Sequence, residues 1–134
     1  MSLNLVPSLD RWFSDRLQGL KCSPEALAYV AGVLAQKRWD KADLSTQSVV
    51  LAYRDAALAG DFSGFQRLGD WVLFVDIAYP QHIDGTREVV ESLGRRSYYS
   101  CYRLMLGRWD LYEELADGLP RIASGARRLL NRFG

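Results

Sequence analysis

Histidine is almost absent from this chain, with His82 alone, and cysteine is scarce, with only Cys22 and Cys101. A zinc site or a Ser-His-Asp triad therefore lacks a full set of partners within the chain. There is no glycine-rich phosphate loop, no nucleophile elbow, and no His/Cys pair at ligand spacing. Charge of one sign is lacking too: 17 Lys and Arg face 16 Asp and Glu, a net charge of +1. That balance offers no bulk attraction to nucleic acid or to a membrane surface. No apolar run approaches the roughly 20 residues needed to span a bilayer. Met1 to Pro7 carries no basic region followed by an apolar core, so no signal peptide is expected. Two cysteines far apart suit reduced thiols in a cytoplasmic protein. No low-complexity tract, linker or internal repeat appears. These absences favour a protein that is not an enzyme, with no cofactor, no metal and no assigned role for either cysteine.

What is present is ordinary globular material. The 134 residues are 49% hydrophobic and 25% charged, which fits a single helical domain over 1–134. The organising stretch runs from Gly64 to Pro80. Between Trp71 and Tyr79 it is apolar on every side except at Asp76, and an all-round apolar helix belongs inside a domain. At about 100° per residue, Phe65, Leu68, Val72, Val75 and Tyr79 form one stripe with Asp76 in it and Gly69 at its edge. Leu73, Phe74 and Ile77 form a second face that includes Asp70. The helix is expected over about 64–79, and Pro80 ends it.

The remaining pattern is also helical. A first helix begins near Pro7 or Ser8 and turns Leu9, Trp12, Phe13, Leu17 and Leu20 inward. Ser23-Pro24-Glu25 starts the second, with a serine cap, proline at the first position and an early acid. Its apolar face is Leu27, Val30, Ala31 and Leu34, and Lys37 and Arg38 suit its negative end. Ser45 or Thr46 caps a third helix with Val49, Val50, Tyr53, Ala57 and Leu58 inward, closed by Gly60-Asp61. After a polar turn, a long helix runs from Asp84 or Thr86 to about Leu106. Val89, Val90, Leu93, Gly94, Ser97, Cys101 and Leu104 share one face, and the small residues among them predict a close crossing near Gly69. A short acidic helix, Arg108 to Asp117, stops at Gly118, and a last helix starts around Pro120 with Ile122, Ala126, Leu129, Leu130 and Phe133 inward. No segment reads as a strand. The fold class is all-α: a compact bundle of six or seven helices around a buried central one.

Two carboxylates stand where carboxylates are costly. Asp76 on an apolar stripe needs a partner, and Arg96 or Arg103 of the long helix are the expected ones. Asp70 is expected to meet Arg67, and Glu91 to pair with Arg95 at i, i+4. Six residues apart on one helix, Asp70 and Asp76 point about 120° from one another, so structural ion pairs are favoured over a shared acid/base or metal site. His82 is expected on a surface turn. Tyr98 borders the packed face, which leaves Tyr99 and Tyr102 partly exposed beside Arg95 and Arg103. Tyrosine and arginine together favour interface hot spots. Arg127, Arg128 and Arg132 border the last helix, and the candidate interaction surface is Arg95, Tyr99, Tyr102, Arg103, Arg127, Arg128 and Arg132.

The order Leu68-Gly69-Asp70, Leu73-Phe74, Tyr79-Pro80, then Leu93-Gly94-Arg95-Arg96-Ser97-Tyr98 resembles a group of uncharacterised helical bacterial proteins. In that group a Leu-Gly-Asp helix ending in Phe-Pro precedes a Tyr-Tyr…Gly-x-x-Ala-Tyr helix. The resemblance covers about residues 66–102, with Val89-Val90 in place of the tyrosine pair and Ser97 in place of alanine. It implies the two-helix core and brings no activity. Three functional classes follow from the residues. The first is a non-catalytic helical interaction or structural protein, a subunit of a larger assembly, with a protein partner or self-association. The second is a nucleic-acid-associated accessory protein using Arg95, Arg96, Arg127, Arg128 and Arg132. The third is a small enzyme with a site near Asp70 or Asp76. A membrane partner is not expected.

Overall fold

Ser8 starts the first helix by accepting the Arg11 N–H on its hydroxyl at 3.3 Å. In the computed structural model, which describes residues 8–36, 44–84, 86–106 and 109–131, this α1 covers Leu9–Arg16. Leu9 and Trp12, expected inward, stay exposed, Phe13 is half-buried against the core, and Leu17 and Leu20 are buried. Helix α2, Pro24–Ala35, begins at the Ser23 cap and the proline that the sequence pattern indicated. Ser23 has a second function. Its N–H and hydroxyl both donate to the Glu114 carboxylate, at 2.7 and 2.5 Å, so the start of α2 is clipped to the last helix. Arg121 adds a parallel clip by donating to the Lys21 carbonyl.

Ser45 caps α3, Thr46–Ala59, which ends at Gly60 in the left-handed region with φ 61°. That conformation costs a side-chain-bearing residue roughly 1–2 kcal/mol and costs glycine almost nothing. Helix α3 buries Val49 and Ala56 and half-buries Ala52 and Tyr53. Val50, Ala57 and Leu58 were expected inward and instead face out. The stripe of Val49, Ala52, Tyr53 and Ala56 already fills the contact with its neighbour, and a step of about 100° carries the others past it.

Asp61 caps α4, Phe62–Ala78, in which Leu68, Val72, Leu73, Val75, Asp76 and Ile77 are buried. Helices α2, α3, α5 and α6 pack around it, so the expected central helix is the structural centre. Helix α5, Arg87–Leu104, lies along it and buries Val90, Gly94, Ser97, Tyr98 and Cys101. Val89 and Leu104, expected on the same face, remain exposed at its edges. The close approach has two contact points. A Cβ on Gly69 would come within 2.7 Å of the Tyr98 ring, and one on Gly94 within 2.8 Å of Val72.

Helix α6, Leu111–Asn131, corrects the expected pair of helices. It runs unbroken through Gly118, with Pro120 inside it. Six α-helices are thus present among the described residues. A short 3-10 turn, Pro80–His82, and a two-residue parallel pairing of Leu44–Ser45 with Ile83–Asp84 complete the connections. The pairing is too brief to change the class, and the fold is all-α. Lys37, Arg38, Arg108, Arg132 and Phe133 lie outside the described residues.

Candidate functional site

Asp70 sits one residue after Gly69, and that adjacency builds its surroundings. Because Gly69 has no side chain, the Tyr98 ring of α5 lies directly on the α4 backbone. Its hydroxyl then reaches the next residue and donates to Asp70 Oδ1 at 2.7 Å. Tyr29 of α2 donates to the same oxygen at 2.6 Å. The expected Arg67 partner makes no ion pair with Asp70, so two phenols stand where a cation was expected. Phenol–carboxylate hydrogen bonds are short and charge-assisted, and a third tyrosine supports them. Tyr112 of α6 takes a hydrogen bond from Gln66 at 2.7 Å. Its ring lies 5.7 Å from Tyr29 and 6.1 Å from Tyr98.

Burial pushes the Asp70 pKa up to about 6, against the opposing pull of the two tyrosine hydrogen bonds. Desolvation disfavours the anion more than two hydrogen bonds favour it. Burial and then the Asp70 charge push the Tyr98 hydroxyl well above its ordinary range. Cys101 behind them is pushed up to about 12, first by burial. It is an unbridged thiol, as is Cys22. On its open side Asp70 borders a cleft of about 640 Å³ between α2 and α4, with Tyr29, Gly32, Gln36, Gln66 and Arg67.

Asp76 occupies the other side of α4 and belongs to a separate cluster. It is fully buried, and its Oδ1 accepts from Arg87 at the start of α5 and, at 3.4 Å, from Arg127 of α6. Arg127 also donates to the Asp76 carbonyl at 2.8 Å. The expected partners Arg96 and Arg103 are not used. They sit two and a half or more turns beyond Arg87 on α5, and Asp76 lies near the end of α4 that meets the start of α5. Glu91, expected to pair with Arg95, instead faces Arg87 at 3.6 Å. Its pKa is pushed up to about 7, by burial first and then by Asp76. Asp76 Oδ2 is buried without a hydrogen bond, and the Asp76 carboxylate beside Glu91 is one of the causes that raise the Glu91 pKa.

The candidate surface is divided by these demands. Arg95 donates to the Ala116 carbonyl at 2.8 Å and Arg127 serves Asp76. Tyr99 is exposed, with its ring 6.0 Å from that of Tyr102, and Arg103 is exposed beside them. Arg128 is exposed on α6 near the end that meets Asp76. Positions 87 and 103 of α5 are about 24 Å apart along the axis, so Arg128 and the tyrosine pair do not form one patch. The sequence reading did not anticipate Leu106. It follows α5 at φ 57° and is 77% exposed. Leu104 and Trp109 beside it in sequence are also exposed. His82 lies in the 3-10 turn with its ring 5.4 Å from Tyr79.

No group of three or more His, Cys, Asp and Glu among the described residues could hold a metal ion. No described helix is long and apolar enough to cross a membrane. No protein-family model matches the chain, and comparisons with curated proteins and with solved structures give no match.

Proposed function

We propose that this chain is a non-catalytic helical interaction protein that docks a protein partner, or a second copy, through the C-terminal end of α5. The observation that carries the reading is Leu106. A leucine in the left-handed region costs roughly 1–2 kcal/mol where glycine would be free, and this leucine is 77% exposed. The left-handed turn ends α5, with the Leu106 N–H donating to the Arg103 carbonyl at 2.9 Å, and it leaves a large apolar side chain in solvent. Strained positions and exposed apolar groups of this kind gather at functional sites. Tyr99, Tyr102, Arg103 and Trp109 surround that end in sequence and supply the residue types that interface hot spots favour. The nucleic-acid reading loses support, because Arg95 donates to the Ala116 carbonyl and Arg127 to Asp76.

The test compares the parent with Leu106→Gly and with Tyr99→Ala/Arg103→Ala. Sedimentation velocity reads self-association, and cross-linked pull-down with the variants as controls reads a partner. Association should weaken by about 2 kcal/mol or more, while melting moves by no more than about 0.5 kcal/mol for the double variant. A strictly monomeric parent from which no partner is recovered, or association that ignores all three substitutions, would sink the reading.

A further inference from the structure

We propose that the cleft between α2 and α4 binds a small zwitterion of the free amino-acid class, its ammonium on Asp70 and its carboxylate on Arg67. This inference is independent of the docking surface on α5. Asp70 is only 8% exposed, yet among the described residues no lysine or arginine stands within ion-pair distance of it. Its two hydrogen bonds both fall on Oδ1, from Tyr29 and Tyr98. Oδ2 takes none from the described residues, and the carboxylate borders the cleft. A buried carboxylate without a cation is costly. One that opens onto a cavity is relieved by a cation that enters it.

Arg67 supplies the other charge. It lies one turn before Asp70 on the same helix face, borders the same cleft, and is exposed. No described acidic group pairs with it. The two opposite charges do not neutralise each other, because the tyrosine hydroxyls hold Asp70 inward. The cleft thus presents an anion at its floor and a cation at its rim, the reverse of the charges on an amino acid. Gln36 and Ser63 add neutral hydrogen-bonding groups to the lining, and the volume of about 640 Å³ falls within the roughly 300–1,000 Å³ of small-molecule sites. On the facing helix, a Cβ on Gly32 would meet nothing within 4 Å, so the space beside it is open. Tyrosine hydrogen bonds that fix Asp70 in advance remove part of the ordering cost of binding.

The experiment titrates the purified full chain at neutral pH with each common free L-amino acid, with n-butylamine and with butyrate, reading backbone-amide NMR shifts. At least one amino acid should move the amides of Tyr29, Gly32 and Asp70. Asp70→Asn keeps an oxygen for the two tyrosines and should weaken binding about ten-fold or more. Arg67→Gln should weaken amino-acid binding while leaving n-butylamine unchanged. Gly32→Leu should fill the open space and abolish binding in a protein that melts no lower than the parent. If Asp70→Asn does not fold, the Arg67 and Gly32 variants decide the matter, since neither removes a core contact. The proposal is overturned if no amino acid moves those amides at millimolar concentration, or if binding survives Gly32→Leu. Amine binding that matches amino-acid binding and ignores Arg67 overturns the zwitterion assignment.

Discussion

Arg95 of α5 donates its Nε–H to the carbonyl of Ala116 on α6 at 2.8 Å, and that carbonyl is the one Pro120 leaves without a helical donor. Proline has no N–H, so the acceptor four residues before it is freed, and the substitution in a helix interior costs about 3 kcal/mol or more. A neighbouring helix satisfies the acceptor and α6 continues. Arg95→Met should therefore destabilise by about 1–3 kcal/mol, the cost of a buried acceptor left unmade. In a Pro120→Ala background, residue 120 regains its N–H and the same substitution should cost less. Urea unfolding of the four proteins measures this coupling, and an equal cost in both backgrounds would contradict it.

Asp76 predicts a larger effect. It is fully buried and holds Arg87 and Arg127 from two different helices. Asp76→Ala removes one side of that cluster and should cost about 3–5 kcal/mol, read as a fall in the denaturation midpoint. A variant as stable as the parent would mean that the arginines find other partners.

Two glycines should respond in opposite directions to the same change. Gly69→Ala places a methyl within 2.7 Å of the Tyr98 ring, and overpacking of this kind costs about 1–3 kcal/mol. Gly32→Ala meets open space in the middle of α2 and should stabilise by up to about 1 kcal/mol through helix propensity. Thermal melting of the pair checks the sign as well as the size.

The pH profile follows from Asp70 and Glu91, whose pKa values rise on folding, from 3.8 to about 6 and from 4.5 to about 7. The folded state holds their protons more tightly, so their stabilisation is fully present below about pH 4. It is lost as pH rises through 6 and 7. Asp76, Arg87 and Arg127 face Glu91, and Tyr29 and Tyr98 face Asp70. Glu91→Gln stays neutral throughout and should flatten the upper part of this decline in denaturation midpoints. Superimposable profiles for parent and variant would refute the assignment.

Local signals in the chain were readable where the chemistry is local. The Ser23-Pro24 start, the Gly60 stop and the Ser45 cap all depend on residues within one turn, and each stands where the pattern placed it. The apolar stripe around Val72 also sufficed to place α4 at the centre. The failures at the two buried acids and at Pro120 are groups whose partners lie on other helices. Nothing near Pro120 in sequence announces Arg95. Asp70 looks like half of an ion pair until Tyr29, 41 residues away, is brought to it. Gly69 was the one available clue to that arrangement, since a small residue before a buried acid makes room for a ring. Leu106 could not be recognised, because sequence alone does not reveal a leucine with positive φ.

The clip between Ser23 and Glu114 joins residues 91 positions apart. Proteins are made from the N-terminus at a pace of several residues per second. Helices α1 and α2 therefore leave the ribosome long before the Glu114 anchor exists. Leu20, whose side chain lies against Gly125 of α6, gains that cover only after α6 has been made.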